Sequence, residues 1–106
     1  MEEATYNGWA NHETWAVNLH LTNNEGDYLA ACEAAERIVD AYESGADQRE
    51  QMAEWVKNWA EEVQQSVIYP DWEPTKEARL FVADAGSLWR VDWYEIADGF
   101  IEEASK

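Results

Sequence analysis

Basic side chains are what this chain most lacks. Seven Lys and Arg stand against 23 Asp and Glu in 106 residues, a formal net charge of −16. So one-sided a balance bears on partners and solubility rather than on fold. Nucleic acid and anionic membrane surfaces would both repel it. A single cysteine, Cys32, excludes an internal disulfide framework. Its place in an Ala-rich periodic run makes it a small buried hydrophobe suited to a reducing, cytoplasmic setting. The stretch Met1-Glu2-Glu3-Ala4-Thr5 has neither the basic region nor the apolar core of a signal peptide. No apolar run approaches the ~20 residues of a membrane span. Internal repeats, linkers and low-complexity tracts are missing too.

Site chemistry is equally sparse. There are two His. His12 and Glu13 open like a zinc-protease helix, but Ala16 stands where the second His belongs. The set His12, His20 and Cys32 has no zinc-ligand spacing, and capping or satisfied polar roles fit these residues better. Gly26 sits at the sixth place of a twelve-residue stretch from Leu21, but an EF-hand requires an acid at the first place. No P-loop and no Ser/His/Asp order is present. The expectation is no enzyme, with no catalytic residue, no metal and no cofactor.

What the chain does hold is aromatic: seven Trp, five Tyr and two Phe. Acidic composition without such residues would read as disorder. Each aromatic buries roughly 150–250 Å², enough together to fill one core. We expect one acidic all-α domain over residues 1–106, a compact bundle of four to five helices after an irregular segment 1–10.

Asn11 reads as the N-cap of a helix over 12–22, with Trp15 and Leu19 on one edge and Val17 and Leu21 on another. Asn24 with Asp27 makes a weak capping pair. Tyr28, Cys32, Ala35, Val39 and Tyr42 share one face of a second helix, for which Gly45 is a suitable C′ residue. Asp47 and Glu50 form a capping box for a third helix. Its apolar face is Met52, Trp55, Val56, Trp59, Val63 and Val67, and it must stop before Pro70. Asp71 to Pro74 is a connector. A helix over 75–86 buries Ala78, Phe81, Val82 and Ala85, ending at Gly86 and Ser87. Asp92 and Glu95 form a second capping box for a last helix that turns Trp93, Ile96, Ala97 and Phe100 inward.

The carboxylates fall in rows. Glu33, Glu36, Asp40 and Glu43 line one side of the second helix about 5 Å apart. Glu50, Glu54, Glu61 and Glu62 follow on the third, and Glu95, Asp98, Glu102 and Glu103 on the last. Like charges one turn apart repel by a few tenths of a kcal/mol per pair. Three readings stand: an ordinary solvated face, a halophile surface, or a mimic of nucleic-acid phosphates, which lie about 3.4 Å apart along each strand. The mimic would dock on a Lys/Arg-lined channel and associate fast.

One segment is distinctive. In Tyr6-Asn7-Gly8-Trp9-Ala10-Asn11-His12-Glu13-Thr14-Trp15, two Trp and a Thr crowd a helix start. Trp9 suits a staple against Trp15, and Asn11, Glu13 and Thr14 suit the first-turn amides. The segment resembles small phage and mobile-element proteins with an Asn-Gly-Trp-x-Asn-x-Glu-Thr-Trp motif. The likeness continues through Asn24-Glu25-Gly26 and Tyr28 and resumes at Val91-Asp92-Trp93-Tyr94-Glu95-Ile96-Ala97. It departs at His20, where relatives often carry Trp. The resemblance implies a helical fold and a phage setting inside a host bacterial cell, with no catalytic residues. The motif family implies no assigned activity. In overall character, small, acidic and helical, the chain also resembles anti-CRISPR proteins of type I, subtype I-E, which implies a protein that blocks the Cascade complex or its nuclease. The alternative is a phage accessory or antirestriction protein with another host partner. The candidate partner-binding residues are Glu33, Glu36, Asp40, Glu43, Glu50 and Glu54. The motif residues Trp9, Asn11, Glu13, Thr14, Trp15 and Trp93 are structural.

Self-repulsion at this net charge destabilises the folded monomer at low ionic strength. Its melting temperature, followed by circular dichroism, therefore rises on adding ordinary salt. A flat response would show carboxylates too dispersed to repel.

Overall fold

The computed structural model describes residues 8–68, 78–81 and 88–106, with the side chains of 66–68 set aside. Helix α1 runs His12–Asn23, α2 Glu25–Ala41, α3 Gly45–Ile68 and α4 Trp93–Ala104. A 3-10 turn spans Leu88–Arg90, and residues 78–81 are helical. Among the described residues there is no β-strand. The fold is an all-α domain. It is a slab of 41 × 41 × 21 Å, two helix diameters thick. The expectations for 1–7, Val67, the connector 71–74, Val82, Ala85, Gly86 and Ser87 lie outside the described residues.

Helix starts follow side-chain chemistry. Asn11 Oδ1 accepts from the Thr14 amide at 2.8 Å, opening α1. Asn24 Oδ1 accepts from the Asp27 amide at 3.1 Å, as its spacing predicts. Asp92 Oδ1 accepts from the Glu95 amide at 3.2 Å and opens α4. The α2–α3 turn differs from expectation. Gly45 is the first residue of α3, not a C′ residue, and it has no positive φ. Ser44 is the cap in place of Asp47: its Oγ accepts from the Asp47 amide at 3.4 Å, and its carbonyl accepts from the Gln48 amide at 3.0 Å. A serine three residues upstream is as good an N-cap as an aspartate, so the start moves one turn earlier. Gln48 Nε2 ties the turn back, donating to the Tyr42 carbonyl at 2.7 Å.

The buried face of α2 is also rotated from the expected one. Ala35 is buried and Cys32 packs on the core as expected, but Ala31, Ala34 and Ile38 complete the stripe, whereas Tyr28 stands exposed and Tyr42 lies past the helix end in extended backbone. Alanines let neighbouring backbones approach closely, which leaves no room for a tyrosine on the same stripe. The other faces match: Met52 and Val56 on α3 are buried, Trp55, Trp59 and Val63 pack on the core, and Ile96, Ala97 and Phe100 of α4 point inward. Ala78 and Phe81 are buried as expected. On α1 the buried edge is Ala16, Val17 and Leu21, with Trp15 at the margin.

The centre is thus more aliphatic than aromatic, with Phe81 and Phe100 the buried rings among the described residues. Eight of the sixteen buried apolar residues among those described are Ala. Trp9, Trp15, Trp55, Trp59 and Trp93 are half-buried and ring this core. Indole is large and carries an N–H that needs a partner, so it closes a core better than it fills one. Helix α4 packs most extensively on α3, then on α2, and also touches α1. Replacing Ala31 with Leu overfills the α2 seam; it should cost about 1–3 kcal/mol of stability, read as a lower denaturation midpoint.

Candidate functional site

The N-terminal motif works as a clasp. Thr14 is fully buried, the one buried polar residue among those described. Its hydroxyl donates to Asn11 Oδ1 at 2.7 Å and accepts from the Asp92 amide at 2.9 Å. Asn11 Nδ2 donates to the Arg90 carbonyl at 2.8 Å. The Ala10 amide donates to Glu95 Oε1 at 2.9 Å. Arg90 reaches Glu13 at 3.7 Å. Three hydrogen bonds and an ion pair therefore tie residues 10–14 to residues 90–95. Gly8, at φ 87°, supplies the left-handed turn that delivers Trp9 and Ala10 to this junction.

This corrects two local readings. Only Asn11 caps the first turn of α1; Glu13 and Thr14 face the C-terminal segment instead. The Asp92/Glu95 box is half-made, because the Asp92 amide goes to Thr14 and the Glu95 carboxylate to Ala10. A buried amide must find an acceptor, and the Thr14 hydroxyl lies nearer in space than any local carboxylate suggests in sequence.

The six candidate acids Glu33, Glu36, Asp40, Glu43, Glu50 and Glu54 are all exposed. The expected row on the second helix is one residue shorter: α2 ends at Ala41 and Tyr42 is extended, at φ −121° and ψ 131°, so Glu43 leaves the helical line of Glu33, Glu36 and Asp40. They do not share one groove. Glu36 borders a cleft between α2 and α4 with Glu103, whereas Glu50 and Glu54 border another between α3 and α4 with Lys57, Trp93 and Tyr94. Cations engage other carboxylates: Arg49 with Asp98 at 2.9 Å, and Lys106 with Glu103 at 3.3 Å. The Arg49 guanidinium also lies 4.8 Å from the Tyr94 ring centre.

The three soft ligands stay apart. His12 packs on Trp15, His20 meets Phe81 edge-on, and Cys32 lines the α2–α4 cleft. Among the described residues no three His, Cys, Asp or Glu converge as a metal site. A cavity of about 610 Å³ opens beside His20, Trp59 and Phe81, rimmed by Glu25 and Asp27. In the α2–α4 cleft the Tyr28 phenol is held above its ordinary pKa, first by its side-chain hydrogen bond with Cys32 and then by the nearby Cys32 charge. Sequence periodicity gave no sign of this cleft, because it exists only where Gly99 of α4 faces α2.

A family model matches residues 2–102, nearly the whole chain. The chain belongs to the Family of unknown function (DUF7249). No curated protein and no solved structure matches it. The matched span includes both halves of the clasp. No described helix of this family member is long and apolar enough to cross a membrane.

The clasp has a direct test. Thr14→Val keeps shape but leaves the Asp92 amide without its acceptor. It should lower stability by about 1–3 kcal/mol in denaturant titration, while Thr14→Ser costs less. Combined with Asn11→Ala, the losses should be less than additive, since both residues serve one network.

Proposed function

We propose that this chain is a binding protein that inhibits a host defence complex, an anti-CRISPR protein directed at a type I effector or its nuclease. One observation carries the reading: the carboxylate rows of α2 and α3 stand exposed on packed helices, while Arg49, Arg90 and Lys106 are engaged elsewhere. Arg37 and Lys57 stand beside these rows but are outnumbered, so the rows are kept at a cost in self-repulsion. A basic partner surface would relieve it.

The action is stoichiometric occupation. Exposed carboxylates steer the chain onto a Lys/Arg-lined nucleic-acid channel, with association fast at low salt and slower as salt screens it. Once seated, the chain excludes DNA from that channel by bulk and by charge. Glu36 and the Glu50–Glu54 pair border separate clefts, so Glu33, Glu36 and Asp40 of α2 supply the longer helical ladder, with Glu43 just past the helix end. The resemblance of the two motif segments to phage proteins supports the host-defence setting.

Reversal of Glu33, Asp40, Glu43 and Glu50 to Lys leaves the buried core and the clasp untouched. The variant should keep its helical circular dichroism and lose capture of Cascade subunits from host lysate by at least about tenfold. Normal capture by the reversed protein would move the interface elsewhere. Capture of a restriction–modification complex instead would assign the same surface to antirestriction.

A further inference from the structure

Gly99 is costly where it stands. It lies inside α4, where Gly is roughly 0.5–1 kcal/mol worse than Ala. Nothing in the fold requires it. Its φ is not positive, and a Cβ built there meets no atom within 4 Å. What Gly99 does is leave a cleft open. The cleft, about 230 Å³, is walled by Trp9, Tyr28, Cys32, Ile96 and Phe100. A second hollow of about 140 Å³ continues it, sharing Tyr28, Cys32, Phe100 and Glu103 and adding Glu36.

Both hollows fall below the ~300 Å³ at which small-molecule sites begin. They suit one long side chain. Asn18 and Thr22 of α1 border one side, and the remaining walls up to Glu103 are apolar and aromatic, with Tyr28 38% exposed and its ring 6.3 Å from that of Phe100. The far end holds two carboxylates, Glu36 and Glu103. Glu103 meets Lys106, but that pair is exposed on both sides, at 67% each, and exchanges readily with another cation. An apolar trough ending in carboxylates matches an aliphatic stem ending in a cation.

We propose that the α2–α4 cleft receives an arginine side chain of a protein partner, its stem against Phe100 and Tyr28 and its guanidinium on Glu36 and Glu103. The occupant is chosen by charge complementarity and by continuity with the α2 ladder, of which Glu36 is part. The inference rests on the proposed function only in taking the partner to be basic. Arginine gains over lysine here because its planar fork matches carboxylates and stacks on aromatic rings.

The test uses the intact chain and a blocked Gly-Arg-Gly peptide, with the neutral citrulline peptide as control, followed by NMR. Saturable shifts at the Gly99 amide and the Trp9 indole are expected at millimolar peptide. The citrulline peptide should bind about tenfold more weakly. Gly99→Leu fills the cleft: it should raise the melting temperature by several degrees and abolish those shifts. Gly99→Ala should raise the melting temperature and weaken binding less. Equal binding of both peptides, or unchanged binding by a folded Gly99→Leu protein, overturns the proposal. So do shifts spread over all carboxylates without saturation at Gly99. Loss of partner capture in the Glu33, Asp40, Glu43 and Glu50 reversal with peptide binding intact supports the cleft, since Glu36 and Glu103 remain. Failed peptide binding with wild-type capture intact sinks the cleft alone.

Discussion

The Thr14 hydroxyl is the point on which the rest of the structure depends. It is buried, it uses its proton toward Asn11, and it gives its lone pair to the Asp92 amide. One atom thereby fixes the start of the first helix and the start of the last. The neighbouring bonds, Asn11 to Arg90 and Ala10 to Glu95, hold the two helix starts in one orientation. A buried hydroxyl satisfied on both sides specifies a single arrangement, because every alternative strands a donor. With α4 so anchored, its apolar face closes on α2 and α3 together.

This organisation divides the polar residues by task. Asn11, Thr14, Asp92 and Glu95 are spent inside the protein. The carboxylates of α2 and α3 have no such duty and remain in solvent. Charge and architecture are nearly independent here: the core is alanine, aliphatic side chains, Met52 and two Phe under a ring of tryptophans, and the acid sits on outer faces that the core does not constrain.

Much of the fold was legible in the sequence. Helix caps at Asn11, Asn24 and Asp92 follow from local side-chain chemistry, and the inward faces of α3 and α4 follow from period alone. Periodicity points to the wrong edge of α2 because large aromatics outweigh alanines in any pattern, whereas close packing selects the small residue. Glu13, Thr14 and Glu95 were read as local caps because a sequence shows near neighbours only; their partners lie about eighty residues away along the chain, at separations of 78 for Thr14–Asp92 and 85 for Ala10–Glu95. Exposure of the six candidate acids was readable from helical spacing. Their division between two clefts was not, since it depends on where α4 lies. The cleft at Gly99 had no sequence signal beyond a glycine inside a helical pattern.

The clasp also sets the order of events in folding. Its two halves stand far apart in sequence, at separations of 78 for Thr14–Asp92 and 85 for Ala10–Glu95, and α4 packs on α1, α2 and α3. Contacts so distant in sequence form only after a costly loop closure, whereas the α1–α2 and α2–α3 contacts join neighbours in sequence. The buried alanine seam and the Thr14 hydroxyl stay wet until α4 docks. Folding is therefore completed in one long-range closure, and a variant without Trp93–Ala104 is left with an open seam.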